Sequence, residues 1–165
     1  MPTTAPPFPL VRMFLSYAHA DYVDVQSLMG RLNQNLEADA KMRFPVWSDE
    51  QILIGADWDQ SIKAALARSD FGLLLLTPAA LASGYIQRTE IPALLAEAKL
   101  LLVGLRPVDF RLQLPSALQA LQVFRLKTAN GKDLFYTESN GGPQKDAFAH
   151  GLYKAIRSRC TPTTP

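Results

Sequence analysis

The chain has 165 residues, 48% of them hydrophobic and 19% charged, and seventeen basic against fifteen acidic side chains give a formal charge of +2. That length holds one domain with a full core; the apolar share excludes a disordered chain, and the near balance of charge supports neither a nucleic-acid footprint nor an acidic tail. Two histidines and one cysteine cannot supply a zinc ligand set, and no stretch reaches the roughly 18 apolar residues of a membrane-spanning helix.

The opening residues, MPTTAPPFPL, lack the basic start and apolar core of a secretory signal and read as a proline-stiffened lead-in over 1–9. The domain proper is expected over 10–159. Residues 160–165 read as the start of a linker to a partner domain that follows. The lone Cys160 has no internal disulfide partner, which points to a reducing compartment and a cytoplasmic location.

A first strand is expected over residues 10–16 (LVRMFLS), with Asp21 as the N-cap of the following helix. Val25, Leu28, Met29, Leu32 and Leu36 give that helix one apolar face. Residues 43–47 read as a second strand. A polar loop over 48–58, SDEQILIGADW, carries Asp49, Glu50 and Asp57 around Gly55 and leads into a helix opening near Asp57. Loops of this length in compact domains are usually functional. The apolar run FGLLLL over 71–76 suits a central strand covered on both faces.

After Thr77-Pro78 comes a turn of helix or loop, then a helix with Ile91, Leu94, Leu95 and Ala98 on one side. Proline is tolerated in a first helical turn and disfavoured deeper in, so Pro92 predicts a helix that begins close to Glu90. A fourth strand over 99–105, a possible fifth over 123–126 and a last helix over 144–157 complete the chain. Strands alternating with helices predict an α/β fold, a flavodoxin-like three-layer sandwich. Its five-stranded parallel sheet has the order 2-1-3-4-5, with helices on both faces.

In such a sheet the loops after strands one, two and three open on one edge, where ligands bind. A carboxylate there can hydrogen-bond a ribose diol, stabilise a developing oxocarbenium ion or act as general base for water. A helix N-terminus favours the ionised form of Glu90. From spacing alone each residue also has a plainer reading. Glu90 can be a capping carboxylate, Trp47 and Trp58 core, Tyr85 packing, Asp49 and Asp57 loop caps, and Gly55 a turn. Arg88 and Arg106 can meet a phosphate or simply face solvent. The phosphate-binding patterns GxGxxG and GxxxxGK[ST] are absent, as is GxSxG.

Four segments together resemble a TIR (Toll/interleukin-1 receptor) domain of the bacterial type. They are MFLSY at 13–17 followed by Asp21, WSDEQILIGADWDQSI at 47–62, the strand-and-helix region 71–90 with Ser83, Tyr85 and Glu90, and LRPVDF at 105–110. The resemblance implies hydrolysis of the nicotinamide–ribose bond of NAD+, with ADP-ribosyl cyclisation in some members. NAD+ is then the substrate and no cofactor or metal is required. Glu90 maps onto the family's catalytic glutamate and Tyr85 onto the aromatic that stacks on the ligand, one position further ahead than the common W-C-x-x-E spacing.

Ser16, Tyr17, Ala18, Asp49, Ile54, Gly55 and Trp58 correspond to substrate-binding positions. Where some members carry an arginine after the first-box tyrosine, this chain has Ala18-His19. Implied partners are other TIR domains, in a homo-oligomer formed on activation, and a C-terminal sensor domain in an antiphage defence protein, without direct nucleic-acid or membrane binding. The competing readings are a non-catalytic TIR–TIR scaffold and a glycosyl transferase acting on nucleosides.

Overall fold

The computed structural model describes residues 8–160. The lead-in up to residue 7 and the predicted linker beyond residue 160 lie outside the described residues. Five parallel strands form the sheet: β1 (Met13–Ser16), β2 (Val46–Trp47), β3 (Phe71–Leu76), β4 (Leu100–Gly104) and β5 (Val123–Phe124), in the order β2-β1-β3-β4-β5. This is the flavodoxin-like arrangement expected from the alternating pattern. The long helices are α1 (Tyr22–Glu37), α2 (Trp58–Arg68) and α5 (Gly141–Cys160), and the shorter ones α3 (Pro78–Ala82) and α4 (Ile91–Ala96).

Strand residues alternate between two cores, because successive side chains point to opposite faces. Met13, Leu15, Leu73, Leu75 and Val103 pack with Val25, Leu28 and Leu32 of α1 and Phe148, Leu152 and Ile156 of α5. Phe14, Leu74, Leu76 and Leu102 pack with Ile62 and Leu66 of α2 and with Ile91 and Leu94 of α4. The same alternation turns Ser16 to the α2/α4 face. At Gly72 a Cβ would collide with Leu94, so the absence of a side chain there is what lets α4 settle on β3.

Several expectations are corrected. The first strand shortens to Met13–Ser16, with Leu10 making an isolated bridge to Arg43. Asp21 occupies the N-cap position of α1 but does not cap it. Its carboxylate is buried, accepting from Thr77 Oγ1 at 2.5 Å and facing Arg106 Nε at 3.5 Å. The strand predicted over 123–126 divides into β5 and β6 (Leu126–Lys127), which pairs antiparallel with β7 (Asp133–Leu134) in a separate ribbon. Ala98 lies beyond α4 at φ 55° and is not on its apolar side.

The largest correction concerns Pro92. It does not start a helix: residues 84–96 are helical throughout and widen into a π turn at Ile86–Glu90. Ile91 N–H bonds to the Ile86 carbonyl, five residues back. Proline has no N–H to offer the Arg88 carbonyl and its ring clashes with it in an α-helix. The wider turn relieves that clash, and Glu90 sits inside the segment at φ −74°, ψ −48°.

Candidate functional site

Three loops meet at the C-terminal ends of β1, β2 and β3. Glu90 reaches this edge from the π turn and is 8% exposed. Its Oε2 accepts a 2.6 Å hydrogen bond from Ser16 Oγ, at the last residue of β1. Among the described residues no ion pair holds it. Burial therefore lifts its pKa above the ordinary glutamate value; the Ser16 bond opposes this, the charge of Asp49 adds to it and His19 reduces it. The expectation that a helix N-terminus would favour ionised Glu90 fails, because the helical segment begins a turn earlier and the carboxyl is desolvated.

Asp49 forms the second centre. Its Oδ2 lies 2.7 Å from His19 Nε2, and its Oδ1 accepts from the Tyr17 hydroxyl at 3.4 Å. Burial, then the charges of Asp49 and Glu50, push the Tyr17 phenol upward. Ala18 is half-buried and its carbonyl closes the turn to Asp21 N at 2.9 Å. Glu90, Ser16, Tyr17, Asp49 and His19 are thus linked in one cluster by hydrogen bonds and charge.

Tyr85 and Trp58 make the neighbouring aromatic wall. Their ring centroids are 4.4 Å apart at 53°. In an α-helix, five positions place two residues about 140° apart around the axis. The π turn takes up the extra residue, so Tyr85 and Glu90 share a side and Glu90's charge is felt at Tyr85. The departure from the common spacing is absorbed by the backbone. The Tyr85 hydroxyl donates to Asp59 Oδ1 at 2.7 Å, and Lys63 Nζ lies 2.8 Å from Asp59 Oδ2.

Other sequence candidates fall elsewhere. Ile54 and Gly55 stand in solvent at the tip of the loop, Ile54 fully exposed and Gly55 at φ +86°, outside the hydrogen-bonded cluster. Asp57 caps α2, accepting from Gln60 N at 2.8 Å. Trp47 stacks on Phe14 with centroids 5.2 Å apart, whereas Trp58 is 46% exposed and is not core. Arg106 is tied to Asp24 at 2.5 Å, and Arg88 is an exposed side chain that folds back over Gly84. Two members of the site were not singled out from sequence: His19, whose partner Asp49 is thirty positions away, and Asp59. The i,i+4 relation of Asp59 to Lys63 marks only a helix face.

Among the described residues no group of histidine, cysteine and carboxylate side chains could hold a metal ion, and no helix is long and apolar enough to cross a membrane. A five-stranded parallel sheet of order 2-1-3-4-5, with a buried carboxylate and an aromatic pair at its C-terminal edge, defines a flavodoxin-like α/β domain. A family model described as TIR domain matches residues 13–137, and the chain belongs to that family. Comparison with curated proteins gives no match.

Proposed function

We propose that this TIR domain hydrolyses the nicotinamide–ribose bond of NAD+, with Glu90 as the catalytic residue. The observation that carries the reading is a desolvated carboxyl, held by a neutral hydroxyl and without a cation partner, at the ligand edge of the sheet. A buried uncompensated carboxylate is costly alone and attracts a cationic partner strongly. The ribosyl carbon of NAD+ becomes such a partner as its bond to nicotinamide breaks. The departing nicotinamide takes the bonding electron pair and leaves neutral, so no general acid is needed. Water adds to the anomeric carbon and loses a proton, giving ADP-ribose. Glu90 stabilises the positive charge that develops.

Ser16 orients the carboxyl in this reading. Tyr85 and Trp58 offer faces to the base, and Tyr17, Ala18 and Asp49 flank the carboxyl. Glu90→Gln keeps an oxygen for Ser16 and removes the charge. We expect nicotinamide release at high protein concentration to fall by at least about 100-fold with an unchanged far-ultraviolet circular dichroism spectrum. Undiminished release from the folded variant ends the assignment.

A scaffold role is supported by a separate observation: Leu53 and Ile54 expose large apolar side chains at the tip of the 48–58 loop. Such a tip suits contact with a second copy of the domain. The two roles are compatible, since self-association can raise the activity of an enzymatic TIR domain. A place as the effector arm of a defence protein rests on the family resemblance.

A further inference from the structure

Asp59 stands in the first turn of α2, next to Trp58 in the chain and at the hydroxyl end of Tyr85. Both of its oxygens are engaged, one by the Tyr85 hydroxyl and the other by Lys63. Lys63 together with Tyr85 holds this carboxyl below its usual range, so it carries its charge at neutral pH. A phenol that donates to a carboxylate gains electron density, which makes its ring face more negative. Two aromatic faces tilted together at 4.4 Å beside a carboxylate then favour a planar cation over a neutral ring of the same shape. Lys63 opposes this: among the described residues it is the cation paired with Asp59, and it competes with an incoming cation.

We propose that Asp59, acting with Tyr85 and Trp58, is the charge-selecting element of the site, admitting a positively charged pyridinium ring in preference to its neutral counterpart. The proposal rests on the NAD+ reading and deepens it: the substrate class is the oxidised, N-glycosylated pyridinium. Asp59 is a specificity residue, distinct from the catalytic Glu90. Its role makes opposite demands on two neighbours. Removing the Asp59 charge weakens selection, whereas removing the Lys63 charge strengthens it.

The test compares NAD+ with NADH, which differ only in the nicotinamide ring (a charged aromatic pyridinium in the first, a neutral dihydropyridine with a second hydrogen on C4 in the other), by titration calorimetry on the Glu90→Gln variant so that no turnover intrudes. Adding Asp59→Asn, which keeps an acceptor for the Tyr85 hydroxyl, is expected to weaken NAD+ binding about fivefold and leave NADH unchanged. Adding Lys63→Gln is expected to tighten NAD+ binding about twofold, again without effect on NADH. Equal loss for both dinucleotides with Asp59→Asn, or no change with either substitution, overturns the charge-selecting role while leaving cleavage by the unmodified domain intact. An unmodified domain that neither binds nor cleaves NAD+ overturns the proposed function as well. Should Asp59→Asn fold poorly, the Lys63→Gln arm carries the decision alone, and loss or constancy of NAD+ affinity there refutes the proposal.

Discussion

Glu90 is held in the folded chain at an electrostatic disadvantage. Burial works against its charge, the Ser16 bond offsets part of this, and Asp49 adds to the penalty. Its folded-state pKa lies above the unfolded value, so the folded state takes up a proton more readily. Its contribution to stability is fully present below the ordinary value of 4.5 and is lost as pH rises through the folded value. Glutamine has no such dependence. Glu90→Gln is therefore expected to melt above the wild-type domain at about pH 8, by about 2–4 °C for each kcal/mol relieved. The gap should close on acidification to about pH 4. Equal melting temperatures at the higher pH mean that the carboxyl is adequately solvated. The position of Glu90 was legible through the TIR-like boxes, but its surroundings were not. Its hydrogen-bond partner is 74 residues away, and nothing in the local pattern registers that.

The elements show where local pattern suffices and where it fails. The run at Phe71–Leu76 announces a central strand because both its faces are covered. The spacing of Val25, Leu28, Leu32 and Leu36 announces the buried face of α1 for the same reason. Val123 and Leu126 read as one strand, yet the chain turns at Arg125, whose guanidinium lies over the rings of Phe110 and Phe135. Apolar alternation cannot reveal that turn. Pro92 misleads in another way, since the helical segment widens instead of starting there. Pro92→Ala restores the missing donor to the Arg88 carbonyl and lets the segment tighten to α-helical register. That change rotates Tyr85 away from Glu90. The variant is expected to melt at or above the wild type and to release nicotinamide about tenfold more slowly. Unaltered cleavage would show that the π turn does not depend on proline.

The whole molecule presents two apolar features on opposite edges of the sheet. Leu53, 78% exposed, and Ile54 project from the loop that follows β2, the strand at one edge. A cleft of about 770 Å³ runs along β4, β5 and α5 at the other, lined by Leu101, Phe124, Leu152 and Ile156. A tip and a cleft on different edges cannot satisfy each other across a two-fold axis. A pairing between them would be heterologous and would extend from copy to copy. In the proposed function such contact would steady the 48–58 loop beside Asp49 and Glu90, so activity per molecule rises with protein concentration. Ile54→Asp places a charge at the tip where no buried group needs it, leaving the fold unchanged. Sedimentation should show loss of self-association, and nicotinamide release per mole should become independent of concentration, near the wild-type value at high dilution. Retained self-association in that variant assigns the contact to another surface. Lost association with full activity at every concentration shows that each domain completes its own site.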